Sequence, residues 1–247
     1  MNRLDEIIQL VSTYQRIDVN TLSEQLGVSK VTIRKDLDKL EEKGLLHREH
    51  GFAVRNSDDD LNLRLTIHYN IKKRIAQQAA QLVDDYETVM IESGSTCVLL
   101  AEELCKTKKN IKIITNSYFI ASYLQEYDNC QIILLGGDYQ KEAQVTVGPL
   151  LKEMIHLFHV DKAFVGTDGY TIESGFTSKD LMRSEVVRYM REASNELIIL
   201  TDASKFSNQG TVRQFTLDQV SRIITDQSLS EEMKNHLSAS NLVLELV

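Results

Sequence analysis

Five β-rich runs in this 247-residue chain are each followed at once by small, hydroxyl-bearing or glycine-containing sequence. ETVMIE (87–92) runs into Ser93-Gly94-Ser95-Thr96, IKIIT (111–115) into Thr115-Asn116-Ser117, and QIILL (131–135) into Gly136-Gly137-Asp138. KAFV (162–165) leads to Gly166-Thr167-Asp168-Gly169, and ELIILT (196–201) to Thr201-Asp202-Ala203-Ser204-Lys205. The chemistry these residue types share is recognition of a small, oxygen-rich anion. Glycine lets a ligand approach the backbone and hydroxyls donate hydrogen bonds. A helix starting near Cys97 turns its positive end toward Ser93–Thr96. Lys205 is the candidate point charge for a phosphate or carboxylate, and Asp168 the candidate holder of sugar hydroxyls. Taken singly, Gly-Ser-Thr is also an ordinary helix cap, Lys205 a solvated lysine, and Asp168 and Asp202 turn residues.

A second stretch, Ser29 to Lys39, carries different chemistry. At about 100° per residue, a helix capped by Ser29 buries Ile33, Leu37 and Leu40. It turns Val31, Lys35 and Lys39 outward, with Thr32 and Arg34 on the flanks. Base edges in a DNA major groove are read by such groups: Lys or Arg to guanine, Thr to several bases, an apolar side chain to the thymine methyl. A valine on the solvent side has no folding reason to be there. Glu41 and Glu42 lie toward the far end of the helix, away from the expected approach of DNA. The competing reading is a small helical bundle with solvated charges.

The elements that must hold these residues follow from periodicity. Leu4, Ile7, Ile8 and Val11 have the spacing of one helix face, and Val19, Leu22 and Leu26 make a second short stripe that Gly27 ends. Gly44 stops the third helix, and LLHREHGFAVR (45–55) reads as a hairpin turning near Gly51. Two short helices, a tight turn and a hairpin make a winged helix-turn-helix, whose second motif helix enters the major groove. NSDDDLN (56–62) is polar, acidic and without hydrophobic periodicity, so it reads as a linker. Beyond it, the five runs named above are joined by RIIT (222–225) and LVLEL (242–246), with amphipathic stretches at 97–106, 117–126, 180–194 and 230–239. Strands apolar on both faces, spaced by helices, predict a mainly parallel sheet covered on both sides. The expected organisation is a DNA-binding domain over 1–56, a linker over 57–70 and an α/β effector-binding and oligomerisation domain over 71–247. In an open α/β sheet, ligands bind outside the carboxyl ends of the strands, which is where the five polar stretches fall.

Composition narrows the class. The hydrophobic share is 42% and the charged share 26%, enough to build a core. The net charge of −8 hides a division: residues 1–56 hold nine basic and nine acidic side chains, so the acidic excess lies wholly in the rest. A neutral head on an acidic body suits DNA binding if the head's cations share a face. No apolar run reaches the roughly 20 residues a membrane span needs, and the start of the chain lacks the marks of a signal peptide. Cys97, Cys105 and Cys130 are far apart in sequence with no CxxC pair, so a disulfide framework and a zinc site are not expected, and the cytoplasm is the expected compartment.

The segment VSKVTIRKDLDKLEEKGLLHREHG (28–51) closely resembles the N-terminal helix-turn-helix of the DeoR family of bacterial sugar-operon regulators. Where the family wing usually ends in two glycines and alanine, Gly51 is followed here by Phe52. The runs ESGST, TNS, LLGG, VGP, GTDG, GFTS with SEVVRYM, TDASKF and IITD are similar to the landmarks of the family's C-terminal domain, so the resemblance covers almost the whole chain. It implies operator DNA contacts through Lys30, Thr32, Arg34 and Lys35, with Arg48, His50 and Gly51 on the wing. It also implies a sensor domain similar in fold to ribose-5-phosphate isomerase, with an effector pocket drawn from Ser93, Gly94, Ser95, Thr96, Thr115, Asn116, Asp168 and Lys205. Ser117, Gly136, Gly137, Gly166 and Gly169 complete the expected edge. The implied partners are double-stranded operator DNA, a phosphorylated sugar or polyol, and further copies of the chain in a dimer or tetramer, with repression relieved by effector. No cofactor is expected.

Two other function classes fit parts of the sequence. A sugar-phosphate isomerase with a DNA-binding head needs a general base, for which Asp168, Asp202 and Glu92 are the available carboxylates, but the lysine loop that accompanies the base in isomerases has no clear counterpart. A third possibility is a module that only mediates assembly. His156 and His159, at i, i+3 in EMIHLFHV, suggest a metal or simply helix-surface histidines. Cys97, at a helix start, is either an acidified thiol or a packed, inert one.

Overall fold

The computed structural model describes residues 3–42, 45–54 and 61–247, apart from the side chains of residues 62 and 63, and divides into units spanning 1–70 and 71–247. Helix α1 (Arg3–Tyr14) buries Ile7, Ile8 and Val11. After strand β1 (Arg16–Asp18), α2 (Val19–Leu26) is capped by Asp18, whose carboxylate accepts from the amides of Asn20 and Thr21. Gly27 ends α2 in the left-handed region (φ 64°), a conformation that carries no Cβ clash in glycine. Helix α3 (Lys30–Glu42) then packs Ile33, Leu37 and Leu40 inward. Strands β2 (His47–Glu49) and β3 (Phe52–Val54) form the expected hairpin, and β1 joins it to give the order β1-β3-β2. That third strand was not anticipated: three residues give too little alternation to recognise. Helix α4 (Leu61–Thr66) packs against α1 and buries Leu61 and Leu65. The helix stop at Gly44 and residues 56–60 of the acidic stretch lie outside the described residues.

In the second unit, α5 (Tyr69–Ala80) precedes β4 (Thr88–Ile91), α6 (Ser95–Thr107), β5 (Ile111–Thr115), α7 (Tyr118–Tyr123) and β6 (Cys130–Leu134). The hairpin β7 (Asp138–Gln140) and β8 (Val145–Val147) leads through α8 (Pro149–Ile155) to β9 (Val160–Val165). A small antiparallel sheet of β10 (Gly169–Thr171), β11 (Gly175–Ser178) and β13 (Val212–Phe215) brackets α9 (Leu181–Glu192) and β12 (Ser194–Leu200). The chain ends with β14 (Arg222–Thr225), α10 (Glu231–Ser238) and β15 (Val243–Leu246).

The seven sequence-predicted strands form one sheet of order β15-β14-β12-β9-β4-β5-β6, and every neighbouring pair is parallel. Its central strands are buried on both faces: Met90, Ile91, Ala163, Phe164 and Val165 are all fully enclosed. The order has one reversal. From β4 the chain builds outward through β5 and β6, then returns to place β9 on the other side of β4 and builds away through β12, β14 and β15. Among the described residues no helix is long and apolar enough to cross a membrane.

Candidate nucleic-acid interface and ligand-binding edge

The turn between α2 and α3 is built locally. The Gly27 amide and the Val28 amide both donate to Ser23 O, and Ser23 Oγ donates to Val28 O at 2.5 Å. Ser29 caps α3, its Oγ accepting from Thr32 N at 3.2 Å and lying 2.9 Å from Thr32 Oγ1. The two hydroxyls therefore hold each other as well as facing outward. Val31 is 60% exposed, and Lys30, Arg34, Lys35 and Lys39 are exposed around it. Beneath them the Arg3 guanidinium grips the buried Asp36 through two contacts, Nε to Oδ2 at 2.6 Å and Nη2 to Oδ1 at 3.2 Å, tying α1 to the inner side of α3.

One member of this face escaped the sequence reading. Asp38, by the same 100° steps, stands about 20° from Val31, between it and Arg34, and it is exposed. It forms an ion pair with Arg48 of β2, while Glu41 Oε1 accepts from Arg48 N at 2.8 Å. Acids on α3 thus hold the wing. At the wing tip His50 (φ 46°) and Gly51 (φ 86°) both take positive φ, the backbone of a two-residue hairpin turn. Phe52 opens β3, and the Arg16 guanidinium lies 4.1 Å from its ring centroid.

Because the large sheet is parallel, its carboxyl ends share one edge. The loops that follow β12, β9, β4, β5 and β6 lie there in that spatial order, carrying respectively Lys205, Gly166 to Gly169, Ser93 to Thr96, Thr115 to Ser117, and Gly136 with Gly137. Glu92 joins the two central loops. Its Oε1 accepts from Ser93 Oγ at 2.8 Å, and its Oε2 accepts from Gly94 N at 2.7 Å and Gly166 N at 3.3 Å. A Cβ on Gly94 would stand 3.0 Å from that carboxylate and 3.5 Å from Gly166 Cα, so a side chain there would press the loops apart. Sequence reasoning considered Glu92 only as a base. The signal for its clamping role was a carboxylate placed directly after a buried strand.

The remaining residues divide by what they already hold. Thr115 Oγ1 accepts from Ser117 N at 3.1 Å, and Ser117 Oγ caps α7 by accepting from Ile120 N. Asn116 is 1% exposed; its Nδ2 donates to Thr146 O at 3.0 Å, whereas its buried Oδ1 has no hydrogen-bond partner among the described residues. Asp168 Oδ2 accepts from Ser178 Oγ and Lys179 N, and Asp202 Oδ1 accepts from Ser204 N. Gly137 and Gly169 have a packing reason to be glycine: a Cβ would meet Val147 O at 2.4 Å and Asn208 O at 2.3 Å. Gly136 N lies 3.2 Å from Met154 Sδ. Lys205 sits in the short turn Ala203–Ser207 with its side chain half-exposed.

Two alternatives that the sequence leaves open narrow. His156 caps the C-terminal end of α8 and faces Glu192 at 3.4 Å, while His159 lies beyond the helix with its Nε2 2.9 Å from Asn195 Oδ1. Among the described residues no group of three or more His, Cys, Asp or Glu could hold a metal ion. The helix start does not acidify Cys97, which is fully buried; burial, and then the Glu92 charge, push its thiol well above the ordinary range.

Comparison with known proteins places both units. Residues 3–59 match the model of the DeoR-like helix-turn-helix domain, and residues 67–227 match that of the DeoR C-terminal sensor domain. The chain is 27% identical over 247 residues to the HTH-type transcriptional regulator IolR of Bacillus subtilis, covering 99% of this chain and 98% of that one. It is 29% identical over 255 residues to the L-fucose operon activator of Haemophilus influenzae, covering 100% of both. Among solved structures, ribose 5-phosphate isomerase A of Methanocaldococcus jannaschii aligns at a TM-score of 0.42 and 19% identity, covering 56% of this chain and 55% of that one. With a helix-turn-helix model on the head and a sensor model over most of the body, the chain belongs to the DeoR family of transcriptional regulators.

Proposed function

We propose that this regulator represses a carbohydrate-utilisation operon and is released from its operator by a phosphorylated sugar or polyol bound at the carboxyl edge of the parallel sheet. The observation that carries the reading is the reversal of strand order between β4 and β9. Loops leaving adjacent strands in opposite directions open a crevice, and ligands of open α/β sheets bind there. The stretches Ser93–Thr96 and Gly166–Gly169 flank that point. The N-terminus of α6, Ser95 and Thr96 would take the anion, Lys205 would supply charge, and the unpaired buried Oδ1 of Asn116 is an acceptor for a ligand hydroxyl. A relative named for an L-fucose operon supports a carbohydrate setting.

Operator contacts are assigned to Ser29, Lys30, Val31, Thr32, Arg34, Lys35 and Lys39 of the α3 face, and to Arg48, His50 and Gly51 of the wing. In this reading residues 1–56 bind DNA, 57–70 connect the two units with α4 packed on α1 rather than running as free linker, and 71–247 sense effector and assemble a cytoplasmic dimer or tetramer. On the same reading the protein is a regulator and not an enzyme, which the engagement of both Glu92 oxygens and the turn roles of Asp168 and Asp202 support.

The test is a thermal-shift screen of sugar and polyol phosphates, followed by operator binding with and without the best ligand. Preferential binding to the folded state raises the melting temperature. Coupling must be reciprocal, so operator DNA weakens effector binding by the same factor. Equal effector affinity with and without DNA, or multiple turnovers of a sugar phosphate lost in Asp168→Asn, overturns the proposal.

A further inference from the structure

The three thiols are far apart along the chain, yet two of them meet in the fold. Cys105 lies in the last turn of α6, and Cys130 opens β6 opposite Ile111. The residues leading into β6 are bonded to that last turn. Tyr127 Oη donates to Glu102 Oε1 at 3.3 Å, and Asn129 Nδ2 donates to the carbonyl oxygens of Cys105 at 2.8 Å and Lys108 at 2.9 Å. These bonds seat the start of the strand on the end of the helix and bring the Cys105 and Cys130 side chains together. Both are free thiols, Cys105 buried and Cys130 half-buried. The pair lies at the amino edge of the sheet, opposite the carboxyl edge that carries the candidate ligand site, and neither DNA binding nor effector binding uses it.

The two sulfurs are not equivalent. Cys105 is 3% exposed, whereas Cys130 is partly open to solvent. The Cys130 side chain beside it, then burial, raise the Cys105 thiol above its ordinary range. The nearby charges are Glu102 and Lys106, which pair with each other at 3.0 Å on α6. A partly exposed thiol beside a second, buried thiol is the arrangement of an attacking and a resolving cysteine.

We propose that Cys105 and Cys130 are a peroxide-reactive pair that closes into an intrachain disulfide. In the first step the Cys130 thiolate attacks one oxygen of hydrogen peroxide. The O–O bond breaks, Cys130 becomes a sulfenic acid, and the departing hydroxide takes up a proton to leave as water. In the second step the Cys105 sulfur attacks the Cys130 sulfur. The S–O bond breaks, the thiol proton leaves with that oxygen as a second water, and the S–S bond forms. Two thiols lose two electrons and one peroxide becomes two waters.

The test uses the full chain and hydrogen peroxide. Of the three thiols, two are lost and one remains when free thiols are counted in denaturant. Peptide mass mapping without reductant finds Cys105 joined to Cys130, Cys97 stays alkylatable, and dithiothreitol restores all three. The oxidised chain melts at a higher temperature, because the cross-link restricts the unfolded chain. In Cys105→Ser a dimedone probe captures Cys130 as sulfenic acid; in Cys130→Ser peroxide leaves Cys105 unchanged. Circular dichroism checks that each variant folds, and the wild-type peptide map decides the matter if one does not. Loss of Cys130 alone from the wild-type chain, or cross-links only between chains, overturns the pair.

Discussion

Arg48, on the first strand of the wing, is ion-paired with Asp38 on the outward face of α3. The wing cation expected to meet DNA is therefore committed to a carboxylate in the absence of DNA, and phosphate must compete for it. An exposed ion pair contributes about 0–1 kcal/mol, so the competition is one that phosphate can win. Asp38→Ala should raise affinity for duplexes of any sequence by up to about fivefold, since 1 kcal/mol corresponds to about that ratio. Anisotropy titrations with operator and with unrelated DNA check this; an unchanged affinity for both would mean that Arg48 stays on Asp38 in the complex.

Lys35 separates base reading from phosphate binding. If it contacts a base edge, Lys35→Ala removes about 1–3 kcal/mol of discrimination at a single operator position. If it meets phosphate, affinity falls evenly across sequences and the slope of log K against log salt shrinks by about 0.9. Competition with single-position operator variants at two salt concentrations distinguishes the outcomes.

Glu92 both clamps two loops and places a negative charge where an anion is proposed to bind. Glu92→Gln keeps one acceptor oxygen and removes the charge. Stability should fall by about 1–3 kcal/mol, the scale of a hydrogen bond to a charged group, while a sugar phosphate should bind more tightly. Denaturant melts measure the first effect and calorimetry the second. Weaker sugar-phosphate binding in a variant that still folds would remove the anion from this end of the sheet.

Acid should destabilise the second unit partly through Asp226. Burial by itself would raise this carboxyl, but hydrogen bonds from Ser228 Oγ, Ala203 N and Ser228 N outweigh it and hold the group below its ordinary value of 3.8. A depressed folded-state pKa stabilises the fold above the unfolded value and loses that contribution as pH falls through the folded one. Asp226→Asn should therefore flatten the stability profile below about pH 4 and leave its shape near neutrality unchanged, as urea midpoints across the acid range would report.

Gly27 and Gly137 are glycine for different reasons, and alanine should expose the difference. Gly27→Ala meets no atom of the described residues within 4 Å and suffers only the left-handed backbone, about 1–2 kcal/mol. Gly137→Ala adds a contact of 2.4 Å to Val147 O and should cost distinctly more. Thermal melts of both variants, compared with the parent chain, give the ranking; equal losses would mean that the β8 backbone yields at no cost.

The local elements were legible because hydrophobic spacing is a local signal. Leu4, Ile7, Ile8 and Val11 reveal a helix face without reference to anything distant, and seven apolar runs reveal the strands of the large sheet, of which the central ones are buried on both sides. Short or polar elements left no such signal: β1, α4 and the β10-β11-β13 sheet went unseen. The outward position of Asp38 was available from helix geometry alone, but its pairing with Arg48 was not. Pairing order, unlike periodicity, depends on which distant segments bury each other best and at what loss of chain entropy. The sequence by itself determined a helix-turn-helix head, an α/β body and the polar residues that follow its strands. Only the tertiary structure decided that β4 and β9 are neighbours across a reversal, that Glu92 spans the loops between them, and that Cys105 and Cys130 meet, because each is a contact between segments whose separation along the chain carries no periodic trace.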